Sequence, residues 1–456
     1  MDAKLSQILA AVTAAGGSLY EVGGSVRDRA MGLMPKDRDL LVTGVPVETL
    51  ISVLPGTKDL VGAAFGVIKC QVDGETFDIA LPRTEQAIGP GHRDFRVQCD
   101  HRLSVTDDLS RRDFTINAMA RCVETGVLID PFDGVGDLSH RIIRCVGSAQ
   151  ERFNEDPLRM LRALRFAARF GFDLNYRTYA SISDCCYLII RVAPERIREE
   201  LSGLLAAPRG DYVKQTLGLL MDTGLMGVIF PEFIVSIGFE QRNPHHHETV
   251  DRHVFSTVAN GVGMGASLNA RWALLLHDIA KPGCFVLDEA GGGHFYGHED
   301  VGAEMARAIC NRLKFSADDT SSIVQLVREH DCLEVTPSSR TLRRYVAKMG
   351  ANWQDGVIVR AADRAAHVGQ DFEACRHWAQ VTIPARVSDV ALRVVGFGPA
   401  NLALRGDIIA REFGMTGRDI GILKAKLAEA VVDALVANEA TALIQWVKEM
   451  KANQET

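Results

Sequence analysis

The feature that most constrains the fold is VGGSVRDRAMGLMPKDRDLLV, which spans residues 22–42. Its order predicts a strand, a glycine turn, a helix and a second strand that begins with acidic residues. Side chains alternate between the two faces of a strand, so Asp37 and Asp39 point the same way, about 7 Å apart along the chain. Taken alone, an Asp-x-Asp pair is more often a solvated turn and Gly-Gly an ordinary turn. Found together in this order, they favour a functional site.

Paired carboxylates on one strand face suit a divalent-metal site. Two hard cations about 3.5 to 4 Å apart can align an attacking hydroxyl and neutralise a leaving pyrophosphate, and they take oxygen ligands. Gly23 and Gly24 permit a turn in which backbone N–H groups approach a triphosphate, because glycine has no Cβ to obstruct it. Arg27 can add a charge-assisted contact. The pattern therefore predicts metal-dependent nucleotidyl transfer.

The remaining chain divides by pattern into an α/β region and a longer helical region. At roughly 150 residues per domain, 456 residues predict about three domains. Short β-type runs broken by glycine extend from Leu19 to Asp130, and from Pro157 onwards apolar residues recur at helical intervals. A long amphipathic pattern runs from Ala425 to Lys448.

Composition excludes several classes of protein. Hydrophobic residues make 47% and charged residues 24% of the chain, which is typical of globular proteins. No run of about 18 apolar residues predicts a membrane span, and the N-terminus lacks the basic segment of an export signal. The ten cysteines include no CxxC pair, so we expect neither a zinc knuckle nor a disulfide framework. This cysteine usage favours a cytoplasmic location.

Charge is unevenly distributed. The net charge of −7 disfavours a surface that coats nucleic acid broadly. Residues 141–200, however, hold eleven arginines and no lysine against eight acids. Such a basic face can follow a phosphate backbone, although a solvated, salt-bridged helical face would have the same composition.

GGSVRD followed by KDRD resembles the head domain of the class II tRNA nucleotidyltransferases and bacterial poly(A) polymerases, within the polymerase-β-like superfamily. The similarity extends into the C-terminal region through LRGDIIAREFGMTGRDIGILKAKL. Further motifs agree in order and spacing: FDIALPRTE at 77–85, RRDFTINAMA at 111–120, DPFDGVGDL at 130–138 and ERFNEDPLRMLRALRFAARFGF at 151–172.

The resemblance implies that Asp37 and Asp39 hold Mg²⁺ and that Asp78 is a third carboxylate near the metals. Many members have glutamate at this third position, and the alternative for Asp78 is a surface strand carboxylate. The motif that contacts the incoming nucleotide corresponds to Arg112, Asp113 and Asn117. The alternative for this motif is helix capping, because Asp113 before Phe114 is a suitable N-cap.

The segment NEDPLRMLRALRF predicts a helix start, with Asn154 as N-cap and Pro157 in the first turn. Asp156 and Arg159 are three residues apart, so one helix face presents an acceptor beside a forked donor. Cytosine and adenine both show an amine beside a ring-nitrogen acceptor, so this pair favours C and A over U and G. The alternative is an i,i+3 salt bridge worth a few tenths of a kcal/mol.

The resemblance implies the same base-selecting role for this pair, with Glu155 orienting the arginine and Arg162 near the nucleotide phosphates. Arg165 and Arg169 continue the stripe at helical intervals. They predict a basic face for the phosphates of the tRNA acceptor stem, with solvated charge as the alternative.

The C-terminal half resembles the HD-domain metal-dependent phosphohydrolases through DRHVFSTV, LLLHDIAKP and RAADRAAH. LLLHDIAKP includes Lys281. His298 and the His330-Asp331 pair are candidates for second-metal or phosphate contacts, with surface histidines as the alternative. No ligand role is expected for His245–His247. The resemblance implies a divalent transition metal, of unspecified identity, on His253, His277, Asp278 and Asp363.

The predicted fold is an α/β polymerase-β-like nucleotidyltransferase head followed by an all-α neck, an HD-type helical domain and a helical tail. The neck carries the nucleobase-selecting and RNA-binding helix. The predicted boundaries are 1–140 for the head, 141–240 for the neck, 241–375 for the HD domain and 376–456 for the tail.

The predicted function is template-independent addition of C and A to the tRNA 3′ end from CTP and ATP, with a phosphohydrolase activity in the HD domain. No membrane and no obligatory protein partner are expected. The alternatives are CC-only or A-only addition, poly(A) synthesis, and an HD hydrolase with an RNA-binding head. A loop within residues 84–110 is expected to govern the choice among the polymerising activities.

Overall fold

The computed structural model describes residues 3–35, 38–59, 67–87 and 95–452. The chain forms two compact units. One comprises Met1–Ala207 with Gln215–Pro231, and the other Pro208–Lys214 with Glu232–Thr456. Among the helices of the described residues, none combines the length and apolar character needed to span a membrane.

The first unit is built around a mixed sheet, accompanied by two small two-stranded sheets. The strands are β1 Ser18–Val22, β2 Asp39–Thr43, β3 Thr57–Asp59, β4 Val67–Val72, β5 Glu75–Ala80, β6 Arg83–Ala87, β7 Phe95–Cys99, β8 Ala120–Cys122, β9 Leu128–Ile129, β10 Ile142–Ile143 and β11 Asp173–Leu174. The described main sheet has the order β3-β4-β5-β2-β1-β8-β9. Its parallel pair is β2 with β5, which places Asp39 directly opposite Asp78.

Ten α-helices of the described residues begin in this unit. They are α1 Ala3–Ala14, α2 Gly24–Ala30, α3 Val47–Val53, α4 Val105–Ser110, α5 Gly134–His140, α6 Ala149–Glu155, α7 Leu158–Phe170, α8 Tyr176–Cys185, α9 Pro194–Leu205 and α11 Leu225–Ile229. The residues of α10, Gly210–Asp222, divide between the two units.

Strand β2 lies at the centre of the main sheet, and both of its faces are covered. Leu40 packs in a core with Ile8 of α1. Leu41, on the opposite face, packs with Val22. A strand buried on both sides has a continuous apolar sequence rather than an alternating one, as DLLVT does. The exposed first residue, Asp39, is thereby fixed at the end of a rigid element.

The predicted helix start at Asn154 is wrong. Ser148 caps the earlier helix α6 by accepting a hydrogen bond from the Glu151 N–H, so Asn154 lies inside α6. Asp156 then has extended backbone angles, φ −136° and ψ 101°, and α7 starts at Leu158 after Pro157. The chain breaks here because proline disfavours helical geometry in the residue before it.

The described residues of the second unit form helices and one short hairpin. Its elements are α12 Val250–Gly263, α13 Leu268–Leu276, β12 Val286–Leu287, β13 Gly293–His294, α14 His298–Arg312, α15 Ala317–Arg328, α16 Ser339–Met349, α17 Trp353–Arg364, α18 Phe372–His377, α19 Ile383–Val390, α20 Gly406–Phe413, α21 Arg418–Val432 and α22 Ala440–Ala452. The proposed HD–tail boundary at 375/376 falls inside α18.

The long amphipathic pattern near the C-terminus is divided between two helices. Helix α21 ends at Val432 and α22 begins at Ala440, with Ala434 in the left-handed region at φ 60°. Leu427 and Leu443, one from each helix, share a single apolar core. The same periodicity therefore serves two helices that share one core, which a one-dimensional pattern does not distinguish from one long helix.

Candidate active sites

A cavity of about 470 Å³ in the first unit brings together most of the residues predicted for nucleotide binding. Seven arginines and three aspartates line it, so its charge suits a polyanion. The lining residues are Gly23, Gly24, Arg27, Asp39, Arg83, Arg111, Arg112, Asp113, Asn117, Asp156, Arg159, Arg162, Phe166 and Arg196.

The glycine turn is required by its backbone conformation and by its neighbours. Gly23 has φ +72°, and its N–H donates to the Met119 carbonyl at 3.1 Å. A Cβ at this position would lie 2.5 Å from the Arg112 guanidinium. Any side chain would therefore combine backbone strain with a collision inside the cavity.

A buried chain of hydrogen bonds crosses the cavity wall. Arg27 donates to Asn117 Oδ1 at 2.5 Å. The Asn117 amide donates to Asp113 Oδ1 at 3.0 Å, and Arg162 donates two bonds to Asp113 Oδ2 at 2.9 and 2.8 Å. Phe166 adds an aromatic face 5.4 Å from the Arg27 guanidinium carbon. These contacts connect α2, the RRDFTINAMA motif and α7 in one network.

Electrostatics in this network favour an ionised Asp113. Burial alone raises the pKa of its carboxyl, but the charge of Arg162 and hydrogen bonds from Asn117, Arg162 and Phe114 outweigh burial and lower that pKa. The capping alternative for Asp113 is wrong, because the short helical turn Thr115–Asn117 has Phe114 as its N-cap and no side-chain capping bond. Asp113 Oδ1 accepts from the Phe114 N–H at 2.8 Å instead. Its second oxygen is held by Arg162, which a simple cap does not require.

Asp156 and Arg159 both line the cavity, but they do not pair with each other as the salt-bridge alternative expected. Asp156 Oδ2 accepts from Arg196 at 3.1 Å, and Oδ1 accepts from the Leu158 N–H at 3.1 Å. Arg159 donates to Glu155 Oε2 at 2.8 Å and to the Arg111 carbonyl at 3.1 Å. The predicted orienting contact of Glu155 is thus present, and each member of the pair is held independently.

The carboxylates expected to hold metal lie on adjacent strands. Asp39 lines the cavity and is exposed. Asp78 lies opposite it in the sheet, and its Oδ1 is buried without a hydrogen bond, 3.6 Å from Lys69 Nζ. An unsatisfied carboxylate oxygen beside a second carboxylate fits an oxygen-ligated divalent cation. Asp37 lies outside the described residues.

The predicted basic stripe shows two different environments. Arg165 donates to Glu200 at 2.5 Å and lies 4.7 Å above the Phe166 ring. Arg169 is exposed and stacks on Phe170. Neither residue lines the cavity, so both stay predictions for RNA contact rather than for the nucleotide.

Sequence reasoning missed four residues of the cavity. Arg111 directly precedes Arg112, a predicted residue of the RRDFTINAMA motif, so the motif itself could have indicated it. Arg196 meets Asp156 from α9, 40 positions along the chain, where local spacing carries no information. Arg83 and Phe166 lie within motifs quoted for the resemblance, but neither has a distinctive spacing.

The four predicted ligands of the HD site converge in the second unit. His253 Nε2 lies 3.0 Å from Asp363 Oδ1 and 3.4 Å from Asp278 Oδ2. His277 Nε2 lies 3.2 Å from the same Asp278 oxygen and 3.7 Å from Asp363 Oδ1. All four side chains are buried. Two histidines and two carboxylates around one point are the ligand types of a divalent transition metal.

Unsatisfied polar atoms support this metal site. His277 Nε2 and both oxygens of Asp278 are buried without a hydrogen bond of acceptable geometry. Lys281 Nζ lies 2.7 Å from Asp278 Oδ2. Burial raises the pKa of Asp278, yet the charges of His277 and Lys281 hold that pKa well below its ordinary range. A buried carboxylate that remains ionised is ready to bind a cation.

His246 is closer to this site than expected. It belongs to a loop segment for which no ligand role is predicted, yet its ring packs against His253 and His367 with centroids 4.8 and 4.4 Å away. Burial is the largest cause that lowers its pKa to about 2, so the imidazole is neutral and can donate a lone pair. His246, His253 and His367 form one possible ligand group.

Comparison with known proteins assigns families to both units. The poly A polymerase head domain matches residues 19–144, the probable RNA and SrmB-binding site of polymerase A matches 171–236, and the HD domain matches 250–366. The multifunctional CCA protein of Aromatoleum aromaticum is 37% identical over 71% of this chain and 76% of its own length. That of Azoarcus sp. is 34% identical over 82% of this chain and 89% of its own.

The chain belongs to the multifunctional CCA protein family. As a member of this family it is a nucleotidyltransferase with an HD domain, and both domain types are metal-dependent.

Solved structures agree in fold. The Bacillus stearothermophilus CCA-adding enzyme in complex with CTP has a TM-score of 0.73 at 23% identity and covers 100% of this chain and 99% of its own. The Thermotoga maritima CCA-adding enzyme complexed with tRNA has a TM-score of 0.57 at 20% identity, covering 99% and 96%. The predicted fold class of this family member is confirmed.

Proposed function

We propose that this member of the multifunctional CCA family adds C, C and A to tRNA 3′ ends from CTP and ATP. The observation that carries the proposal is the single cavity that joins Asp39, the arginine cluster and the Asp156–Arg159 pair. Template-independent nucleotidyl transfer requires a carboxylate that binds metal, positive side chains that bind the triphosphate, and groups that recognise the base edge, all at one place.

In this mechanism the residues of the cavity bind and select the nucleotide. Arg27, Arg112 and Arg162 face the triphosphate, and the turn at Gly23 and Gly24 lets backbone approach it. Asp37, Asp39 and Asp78 would hold Mg²⁺, and the chemistry supplied there would be activation of the tRNA 3′ hydroxyl and neutralisation of the leaving pyrophosphate.

Base choice follows from how the reader is held. Arg196 fixes the Asp156 carboxylate as an acceptor for the exocyclic amine of C or A. Arg159 has five N–H donors, and Glu155 and the Arg111 carbonyl orient two of them, which leaves others for the ring nitrogen. Uracil and guanine would meet both groups with the wrong polarity.

The tRNA acceptor stem is proposed to lie along Arg165 and Arg169 in the predicted neck. The proposed domain boundaries remain 1–140 for the head, 141–240 for the neck, 241–375 for the HD domain and 376–456 for the tail.

All ten cysteines are free thiols, which supports a reducing, cytoplasmic location.

A second function is proposed for the HD domain, where unsatisfied ligand atoms converge. A divalent transition metal held by His253, His277, Asp278 and Asp363 would supply an activated water for hydrolysis of a phosphate ester. A cavity of about 480 Å³ beside the cluster, with Lys281 and Arg360 in its lining, provides positive charge for the phosphate.

The test is extension of tRNA transcripts that end in the discriminator base, in C or in CC, with Mg²⁺ and CTP, ATP or both. We expect the first substrate to be extended to CCA, resolved nucleotide by nucleotide on a gel. Stopping at CC, or extending only the CC-ended tRNA, would establish a partial enzyme. A long A ladder would establish a poly(A) polymerase, and no incorporation would leave the HD hydrolase as the function.

A further inference from the structure

Asp108 is a fully buried carboxylate that does not itself line the nucleotide cavity. It lies on the same buried face of α4 as Val105 and Leu109, which pack in an apolar core. A charged group on such a face is costly unless opposite charges pair with it and its oxygens accept hydrogen bonds. The partners of Asp108 therefore indicate its role.

Each oxygen of Asp108 holds one arginine of the cavity. Arg111 donates from Nε and Nη2 to Oδ1 at 2.9 and 2.6 Å. Arg112 donates from Nε and Nη2 to Oδ2 at 3.4 and 3.1 Å. Both guanidiniums thus turn the same edge towards one carboxylate, and both residues line the cavity. A single buried charge thereby orients two adjacent cations.

The two arginines lie beside the parts of the cavity assigned to the triphosphate and to the base. Arg112 Nη1 is 2.5 Å from the position that a Cβ of Gly23 would occupy, so this guanidinium lies against the glycine turn. The Arg111 carbonyl accepts from Arg159 at 3.1 Å. Because like charges repel, the two guanidiniums would move apart without the carboxylate between them. Their placement beside the turn therefore depends on Asp108.

The neighbouring acid, Asp107, makes different contacts. Its side chain is exposed, and it forms a capping box with Ser104. Ser104 Oγ accepts from the Asp107 N–H at 3.2 Å, and Asp107 Oδ2 accepts from the Ser104 N–H at 2.8 Å. These bonds stabilise the start of α4. The two adjacent acids thus separate helix capping from the orientation of the cavity arginines.

We propose that Asp108 is a positioning residue for nucleotidyl transfer, and that Arg111 and Arg112, which it holds, bind the triphosphate of the incoming CTP or ATP. This inference rests on the proposed nucleotidyl transfer and deepens it. A guanidinium fixed in position binds phosphate oxygens in pairs through its fork of N–H donors. Since CTP and ATP carry the same triphosphate, loss of Asp108 should affect both nucleotides equally.

The test measures KM and kcat for CTP and ATP with the full-length protein and tRNA. Asp108→Asn should raise both KM values by about 10-fold and change kcat by less than about 3-fold, because binding shared by the ground state and the transition state is lost. Asp108→Glu keeps the charge but moves it by one methylene, so a smaller rise of about 2- to 5-fold is expected. Asp107→Asn should leave both KM values unchanged while lowering the midpoint of urea unfolding.

A purely structural role of Asp108 would give a different result. Partial unfolding lowers the active fraction and hence kcat, but the folded molecules keep the KM of the parent. A lower kcat with unchanged KM in Asp108→Asn would therefore overturn the proposal. In a background that carries Arg111→Gln and Arg112→Gln, Asp108→Asn should raise KM by less than about 2-fold further. An undiminished rise in that background would show that Asp108 acts through other groups.

Failure of the proposed function can be told apart from failure of this inference. If the parent incorporates no nucleotide, the proposed function fails, and calorimetric titration with CTP or ATP and Mg²⁺ without tRNA supplies dissociation constants in place of KM. Equal constants in the parent and Asp108→Asn would then refute the positioning role, and a rise for one nucleotide alone would refute the triphosphate assignment. If Asp108→Asn fails to fold by circular dichroism, Asp108→Glu decides, and unchanged KM values in it reject the proposal.

Discussion

The nucleotide cavity and the HD cluster satisfy their charges in opposite ways. In the cavity, protein partners hold the working side chains: Arg196 holds Asp156, Glu155 holds Arg159 and Asp113 holds Arg162. In the HD cluster, His277 Nε2 and both Asp278 oxygens are buried without a hydrogen bond. The base-reading side chains of the cavity are thus held by protein partners. In the HD cluster Lys281 Nζ contacts Asp278 Oδ2, but the remaining ligand atoms stay open and fit a bound cation.

This difference teaches how each site recognises its ligand. A reader of base edges needs donors and acceptors fixed before the substrate arrives, so that a wrong base meets the wrong polarity. A metal site needs the reverse, because its lone pairs must stay open for the ion. Substitutions should therefore lower specificity in the cavity and lower metal content in the cluster.

The largest expected effect separates the two sites by their reactions. Asp39→Ala should lower nucleotide incorporation by at least about 10²–10³-fold, since a bound metal supplies several kcal/mol of transition-state stabilisation. It should leave HD hydrolysis unchanged, and His277→Ala should give the opposite result. Gel extension and a phosphate-release assay check this, with exposed Glu48→Ala as control. Full incorporation by Asp39→Ala would refute the metal assignment.

The next effect concerns base choice. Asp156→Ala and Arg159→Ala should each lower the preference for CTP and ATP over UTP and GTP by about 5- to 150-fold, or about 1–3 kcal/mol per lost base contact. Arg196→Ala removes only the partner of Asp156, so a smaller loss is expected. Single-nucleotide kcat/KM values check this. Unchanged preference in both reader variants would show that other residues choose the base.

A smaller effect concerns stability at the glycine turn, and the chain offers a matched control. Gly23 and Gly126 both have φ +72°, but a Cβ at Gly126 would meet nothing within 4 Å. Gly126→Ala should cost about 1–2 kcal/mol of unfolding free energy from backbone strain alone. Gly23→Ala should cost more and should also raise the nucleotide KM. Equal losses in urea unfolding would mean that Arg112 moves aside freely.

The smallest effect is a pH dependence in the cavity network. The folded pKa of Asp113 is depressed, so its stabilisation is present above the ordinary value of 3.8 and is lost as pH falls through the folded pKa. Asp113→Asn should therefore destabilise the protein by about 1–3 kcal/mol at pH 7 and less below pH 4. Urea unfolding at both pH values measures it. An Arg162→Gln background should remove most of the difference, and a pH-independent loss would contradict the charge argument.

Local motifs made part of both sites predictable. Short sequence motifs contain Gly23, Asp39, Asp113 and the HD residues. The local spacing within each motif is enough to predict where these residues lie. Arg196 is not predictable in this way, because its contact with Asp156 exists only after α9 packs on the helices near residue 156. Asn154 precedes acidic residues and proline, a pattern typical of an N-cap, but Ser148 caps an earlier helix that contains Asn154.

The fold shows the same limit. The apolar run of β2 and the helical intervals of α7 were predictable because burial sets their pattern. The short strands β3 and β8 carry too few residues for a pattern, and each is defined by its pairing with a neighbouring strand. His298 and His330 were visible in the sequence as candidates. Their burial and the direction of their Nε2 atoms were not, since both depend on how α14 and α15 pack.

The break between α6 and α7 makes the base reader difficult to transplant. Asp156 belongs to neither helix, and its carboxylate is oriented by an arginine of α9. Moving residues 154–162 into another scaffold would transfer the motif without Arg196, the residue that orients the Asp156 carboxylate. A designer who wants to change the base preference of a related enzyme should therefore treat Asp156, Arg159 and Arg196 as one inherited unit, exchanged together or left in place.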